Sequence, residues 1–478
     1  MRNLPKACLV GAGASGITTA RSLAARGVPF DWFEKGDQVG GIWAFENESG
    51  LSPAYRQLHI NVSRERIEFS DHPMPDSIAQ YPHHTELARY FDDYVQRFEL
   101  HRNLQLRTGV RRARIRDGIW EVELDSGRTC GYDALIVANG HHSAPRWPTP
   151  PPPGEFSGEQ MHSHNYRDNA MLRDRDVLVV GFGNSACDIA VESSMAARNT
   201  CLSVRRGAHV LPKTMWRWTY DQVPGLEYAL GRGIGIGGFG FQLPWRLRQW
   251  WLGWGHRLSV GQMGLYGLPA PEHDFGATHP TISPRLLDCL ANGEVEPKPA
   301  IERLDGELVH FTDGSAARAD LIVWCTGYEI GFPFLDPALA PVSRQNEVEM
   351  YWNVFSPTIP GLAFVGLLQP AAGSTMQISE IQGRWVASYL SGEYALPSKA
   401  EMKRSIARQR QRDSRRLVAS TRHTVQIEQF DLAWRLRREL RRGWRRARRC
   451  GPALSARAAR SVAPGNAAQP VVTSPRGA

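Results

Sequence analysis

Short apolar runs and helical stretches follow one another along this chain in an order that occurs twice. Lys6–Val10 is an apolar run of the kind that forms a buried strand. A glycine-rich turn follows, then an alanine-rich stretch with helical spacing from about Ala14 to Arg26, then a second apolar run at Pro29–Glu34. The order returns with a strand at Asp176–Val180, a helix at Asn184–Ala197 and a strand at Thr200–Val204. Each unit is answered later by a further apolar strand that runs to a glycine: Asp133–Asn139 in YDALIVANG and Asp320–Thr326 in ADLIVWCTGY. The expected fold class is therefore α/β, with two Rossmann-like units, the second inserted into the first.

Proline and glycine mark the boundaries. WPTPPPPG at Trp147–Gly154 is neither helix interior nor central strand and reads as a linker. The expected division is a first part of one domain at 1–150, a linker at 151–174, the inserted domain at 175–325, and the second part of the outer domain at 326–397. Residues 398–478 are expected to be a basic, partly disordered tail. Within the inserted domain, 226–266 is rich in Gly, Trp and Arg. It reads either as an irregular insertion capping a site or as an interfacial patch.

Composition narrows the function classes. The 478 residues carry a net +9, but residues 401–478 hold 20 Lys and Arg against 5 Asp and Glu, a local +15 that leaves the rest at −6. The body is mildly acidic, so no nucleic acid is expected as a partner. The tail around Trp434, Leu436, Leu440 and Trp444 has the pattern of a peripheral membrane helix. A solvated arginine-rich extension fits the same residues. The seven cysteines are scattered, with no C-x-x-C pair, which argues against a disulfide framework and a cysteine zinc site; no metal is expected. The short polar N-terminus does not resemble a signal peptide, and no window approaches the roughly 20 apolar residues of a membrane span. A cytoplasmic protein, with peripheral membrane contact through the tail, is expected.

The turns carry the chemistry. Gly11-Ala-Gly13-Ala14-Ser15-Gly16 matches G-x-G-x-x-G between a strand and a helix. The first glycine makes the tight turn, the second admits a pyrophosphate, and the third lets helix and strand pack closely. Glu34 ends the next strand, where an acid accepts from ribose hydroxyls. The second unit has Gly181-Phe-Gly183-Asn184-Ser185-Ala186, with alanine at the third position. Where the first unit has Glu34 it has Arg205-Arg206. An arginine accommodates the 2′-phosphate that an acid would repel, so NADPH is expected rather than NADH. The physics of the first turn does not by itself separate FAD from NAD.

Between the units, Phe156, Gly158, His162, Tyr166 and Arg167 fit F-x-G-x-x-x-H-x-x-x-Y-[KR]. His162 taken alone reads as a packed linker histidine. Other segments are Gly40-Gly41-Ile42-Trp43, Ile60-Asn61-Val62-Ser63-Arg64-Glu65, Phe69–Pro75, Cys325-Thr326-Gly327-Tyr328, Gln369 and Gln382–Trp385. Over residues 5–395 these motifs, in this order, resemble the class B flavin-containing monooxygenases, flavin-dependent N-/S-oxygenases. The related Baeyer–Villiger enzymes usually carry Trp at the position of Tyr166.

The resemblance implies FAD at the N-terminal unit and NADPH at the inserted one. FAD would lie against Gly11, Gly13, Ala14, Ser15, Gly16, Glu34, Gly41, Ile42, Trp43, Asn61, Val62 and Gln369, and NADPH against Gly181, Gly183, Asn184, Ser185 and Arg205. It implies that hydride passes from NADPH to FAD and that a hydroperoxide on the flavin gives one oxygen atom to an amine nitrogen or sulfide sulfur of a small molecule. Asn61 is the expected catalytic residue, a neutral amide that hydrogen-bonds without offering an acidic proton. A Baeyer–Villiger oxygenase acting on ketones is the alternative. A disulfide reductase of the same plan would need a paired redox cysteine, and a non-enzymatic binding module would lack flavin.

Overall fold

The structure, a computed structural model, describes residues 3–215, 218–222, 245–279, 281–342, 348–370, 374–416, 418, 425–427 and 429–450. Residues 226–244 of the Trp-rich stretch and 451–478 of the tail lie outside them. The described residues form a mixed α/β fold around two five-stranded sheets, each wholly parallel.

In the N-terminal lobe the strand order is Leu362–Phe364, Ala134–Val137, Ala7–Val10, Phe30–Phe33, Leu104–Gln105. In the central lobe it is Glu159–His162, Leu321–Trp324, Asp176–Val180, Asn199–Ser203, Glu296–Lys298. In both, the strand before the glycine turn is central. The second strand of the unit lies on one side and the late ALIV or LIVW strand on the other. The central strands Ala7–Val10 and Asp176–Val180 are covered on both faces, which is why they read as continuous apolar runs rather than alternating ones. The chain that builds the central sheet lies between residues 137 and 362, the two contributions to the N-terminal sheet.

The N-terminal sheet is covered on one face by helices Ala14–Ala24 and Thr375–Leu390. Gly383 lies where a Cβ would meet Thr19 at 3.0 Å, so the two helices touch backbone to backbone. The other face is covered by the antiparallel sheet Val110–Tyr132, through Ala113, Trp120, Val122 and Leu124.

Two boundaries differ from the sequence expectation. The proline-rich segment enters structure almost at once: Gly154–Phe156 pairs with Leu304–Gly306, and Glu159–His162 is the edge of the central sheet. The described residues after Pro397 also stay on the body. Lys399–Asp413 and Gln429–Cys450 are helices, and Gln426–Ile427 pairs with Gln369–Pro370. Leu436 is 2% exposed, and with Leu440 it packs in the core of the N-terminal lobe. Gly443, which as a sequence interrupts the helix, is required by packing, since a Cβ there would fall 1.8 Å from the Tyr394 ring. Amphipathic patterning was read correctly, but the apolar face is turned toward the protein. Its partners are separated by about fifty residues, and sequence periodicity does not identify them.

Candidate active site

The N-terminal turn is built by steric demand. Gly11 has φ +99°, and a Cβ there would lie 2.6 Å from the Ala138 carbonyl oxygen. At Gly16 a Cβ would lie 1.9 Å from the oxygen of Gly11, so the helix begins flush against the turn. Trp32 Nε1 donates to that same oxygen at 2.8 Å. The first N–H groups of the helix thus meet the site with no side chain between, the arrangement that attracts a phosphate. Glu34 follows the second strand, and its carboxylate accepts from the N–H groups of Ala12 and Gly36, both at 2.7 Å. The Gly41–Trp43 turn crosses above. A Cβ on Gly41 would come within 2.9 Å of Gly13 Cα, which gives the Gly40–Trp43 motif its physical reason: two glycines face each other where a ligand chain must pass.

The central turn repeats the device. Gly181 has φ +132°, with the Cys325 oxygen 2.5 Å from where a Cβ would be. Ala186 is fully buried, so this unit admits a methyl where the first admits none. Asn184 Oδ1 accepts from Ile282 N–H at 2.7 Å. Arg205 is exposed, two residues beyond the strand Asn199–Ser203.

Both turns open on one cavity of about 1170 Å³. Of the residues expected from sequence, Gly11, Gly13, Ala14, Ser15, Glu34, Gly41, Ile42, Trp43, Asn61, Val62, Gly183, Asn184, Ser185 and Gln369 line it. Gly16, Gly181 and Arg205 do not; the first two act from beneath, as packing positions.

None of Phe156, Gly158, His162 and Tyr166 lines the cavity. Gly158 is pinned between the Phe156 ring and the Asp320 oxygen. His162 is buried and its Nδ1 accepts from the His164 N–H at 3.1 Å. Burial pushes its pKa down to about 4, so the ring is neutral. It meets Tyr328, a cavity-lining residue, edge to face at 5.4 Å. Tyr166 is fully buried and donates to Glu192 at 2.5 Å, and Tyr55 donates to Asp188, one turn earlier on the same helix, also at 2.5 Å. Tyr166 of the fingerprint therefore braces the central helix against the linker, and Tyr55 braces it against the N-terminal lobe. Burial raises both carboxyl groups, Asp188 to about 6 and Glu192 to about 7, against the lowering effect of the phenol donors.

Sequence reading missed Tyr55, Asp188, Lys213 and Asp221, all of which line the cavity. The i,i+4 spacing of Asp188 and Glu192 was the only available signal, and it names neither partner. Burial lowers the Lys213 ammonium, and its Nζ lies 5.0 Å from the centre of the Tyr81 ring.

The site fits two dinucleotides. It presents two glycine-cleared helix N-termini to a single space, and an acid follows the second strand in one unit where an arginine does in the other. Among the described residues no cluster of three or more metal-ligating side chains occurs.

Comparison with known proteins agrees. A family model described as flavin-binding monooxygenase-like matches residues 5–436. Flavin-containing monooxygenase 5 of Rattus norvegicus is 32% identical over 438 residues, covering 88% of this chain and 80% of the relative. Among solved structures, the S-allyl-L-cysteine S-oxygenase of Allium sativum superposes with TM-score 0.66 at 24% identity, covering 94% of this chain and 93% of that one. A closed cyclohexanone monooxygenase gives 0.68 at 18% identity, covering 93% and 99%, a likeness of fold alone. The chain belongs to the flavin-binding monooxygenase-like family and is an NADPH- and O₂-dependent enzyme that uses FAD and NADPH.

Proposed function

We propose that FAD lies along the N-terminal lobe, with its pyrophosphate on the Gly11–Gly16 turn and a ribose toward Glu34. NADPH lies along the central lobe on the Gly181–Ala186 turn, its 2′-phosphate toward Arg205. Both lobes are then Rossmann-like dinucleotide-binding domains, the NADPH domain inserted into the FAD domain. The outer domain takes in residues 326–450 as well as 1–150, because the two last helices pack on it. The single continuous cavity that joins both turns, with Asn61 on its wall, carries this reading.

The bound flavin, reduced by NADPH, supplies the oxygen atom taken from O₂. The chain's own residues would hold the two nucleotides on the walls of one cavity. Asn61 offers an amide that donates and accepts hydrogen bonds without an acidic proton. The substrate is a small molecule with a soft nucleophile, a thioether sulfur or an amine nitrogen. The name of the garlic S-oxygenase supports the sulfur case. With purified holoenzyme and NADPH, a dialkyl thioether is expected to yield one sulfoxide per NADPH oxidised, faster than a cyclic ketone yields lactone. Lactone formation as the faster reaction overturns the assignment.

No helix among the described residues is long and apolar enough to cross a membrane. We propose a peripheral contact with anionic lipid instead. On the helix Trp245–Val260, Leu247, Trp250, Trp254 and Leu258 share one face and are 48–65% exposed. Arg441, Arg442, Arg445, Arg448 and Arg449 are exposed on the last helix around a half-exposed Trp444. Trp among cations suits a lipid surface. Co-sedimentation with phosphatidylserine vesicles is expected at low salt and is expected to fall when Trp250 and Trp254 are both changed to Ser. No sedimentation of wild type overturns the contact.

A further inference from the structure

Asn61 sits in a turn of the N-terminal lobe, yet that turn is held from the other lobe. Ser63, two residues on, is fully buried, and both its N–H and its hydroxyl donate to one oxygen of Asp221, at 2.9 and 2.8 Å. The other oxygen, Oδ1, is buried with no hydrogen-bond partner among the described residues, so the carboxylate's hydrogen bonds go to Ser63 alone. Gln222 adds two bonds from the same segment: its amide donates to Ser63 Oγ and to Glu65 Oε2, both at 2.8 Å. Arg66 returns one to the Asp221 carbonyl at 3.3 Å. Tyr81 of the N-terminal lobe donates to the carbonyl of Lys213, where this segment leaves the central lobe.

Two features make this more than a surface contact. Asp221 and Asn61 line the same cavity, so the bonds join its two walls. Even half-burying a carboxylate is costly unless it is well bonded, and here the bonds come from a turn 158 residues away in sequence rather than from its own segment. The N–H groups of Ile60 and Arg64 bond within the N-terminal lobe, to Pro82 and Gln80, so Ser63 is the point at which the turn is fastened across the lobe boundary.

We propose that Asp221, aided by Gln222, is a positioning residue for oxygen transfer. From the nucleotide-binding lobe it fixes the Asn61 turn through Ser63, so that the geometry at Asn61 depends on the NADPH-side lobe being seated. The inference rests on the assignment of Asn61 to the flavin face of the site. It predicts that loosening the turn impairs the fate of the oxygen more than the binding of either nucleotide, because neither glycine turn is touched.

The test uses holoenzyme with a thioether substrate and measures three quantities: hydrogen peroxide released per NADPH oxidised, the KM for NADPH, and flavin content. Asp221→Ala and the milder Ser63→Ala are expected to raise the peroxide share about five- to tenfold, the worth of a lost positioning hydrogen bond, with flavin content and KM changed less than about twofold. Asp221→Asn, which keeps an acceptor oxygen, is expected to restore much of the coupling. The double variant Ser63→Ala/Asp221→Ala is expected to fall well short of the sum of the two single effects, because the two side chains share one contact and the only further bond lost is that from Gln222. Asn61→Ala is measured beside them. If it is uncoupled while Asp221→Ala and Ser63→Ala stay coupled like wild type, the positioning role is overturned and the Asn61 assignment stands. If Asn61→Ala is itself coupled like wild type, that assignment falls and the inference with it. If Asp221→Ala does not retain flavin, Ser63→Ala decides, and normal coupling there assigns the pair to stability alone.

Discussion

The two glycine turns are the same device made to different tolerances. In the N-terminal unit the third position has room for nothing larger than hydrogen: a Cβ on Gly16 would fall 1.9 Å from a backbone oxygen. In the central unit the equivalent Ala186 keeps its methyl, fully buried. The residues that follow the second strands also differ. Glu34 lies in the cavity wall with two backbone N–H groups on its carboxylate, while Arg205 stands exposed. The helices are held differently too. Ala14–Ala24 packs on Thr375–Leu390 by close backbone contact at Gly383, whereas Asn184–Ser194 is tied by buried phenol–carboxyl bonds to Tyr55 and Tyr166. On the proposed assignment, close backbone packing gives the flavin turn a fixed seat, and phenol–carboxyl ties hold the NADPH turn.

Gly16→Ala should break the comparison most forcefully. The added methyl meets backbone rather than a movable side chain, so helix and turn must separate, at about 3 kcal/mol or more. The purified variant is expected to lose its yellow colour, read as the ratio of absorbance at the flavin band to that of protein. The reciprocal change Ala186→Gly is expected to cost only about 1 kcal/mol and to leave flavin in place. Equal flavin content in Gly16→Ala and wild type contradicts the tighter seat.

Arg205→Ala tests the difference after the second strands. Losing one charge-assisted contact to a phosphate costs about 1.5–3 kcal/mol, roughly 10- to 150-fold, and the cost falls on NADPH and not on NADH. The ratio of kcat/KM for the two nucleotides measures it. An unchanged ratio returns Arg205 to a surface role.

The smallest effect concerns the polar ties. Burial raises Glu192 to about 7 and Asp188 to about 6, above the values of the unfolded chain. A carboxyl group raised in this way holds its proton more tightly when folded. Its contribution to stability is therefore complete below about pH 4 and is lost as pH rises through 6 to 7. Glu192→Gln, which stays neutral, is expected to shrink the loss of unfolding free energy between pH 5 and pH 8 by an amount on the order of 1–2 kcal/mol, read as a smaller fall in Tm. An unaltered pH profile shows that the tie to Tyr166 does not titrate in this range.

The tail shows where patterning stops being enough. Helical spacing identifies an apolar stripe through Leu436 and Leu440 and leaves it open between a membrane helix and a solvated extension. The stripe is instead filled by the protein's own core beside Tyr394, while Trp250 and Trp254, in the stretch that the sequence also offers as an interfacial patch, stand exposed. A stripe states that a face must be covered, not by what.

The sequence by itself determined the strands, the two glycine turns and the charge that follows each second strand. Each is a local matter: a backbone angle only glycine adopts freely, a period of apolar residues, one side chain after a strand. It also carried enough ordered motifs to place the chain in its family. Tertiary structure alone decided that the two turns share one cavity, that Tyr166 serves the central helix rather than the chemistry, and that the Asn61 turn is fastened from the opposite lobe. Those outcomes depend on pairs such as Tyr55 with Asp188 and Ser63 with Asp221, 133 and 158 residues apart. Such pairs leave no period or spacing in the chain, because what joins them is the packing of two sheets, one inserted whole into the chain of the other.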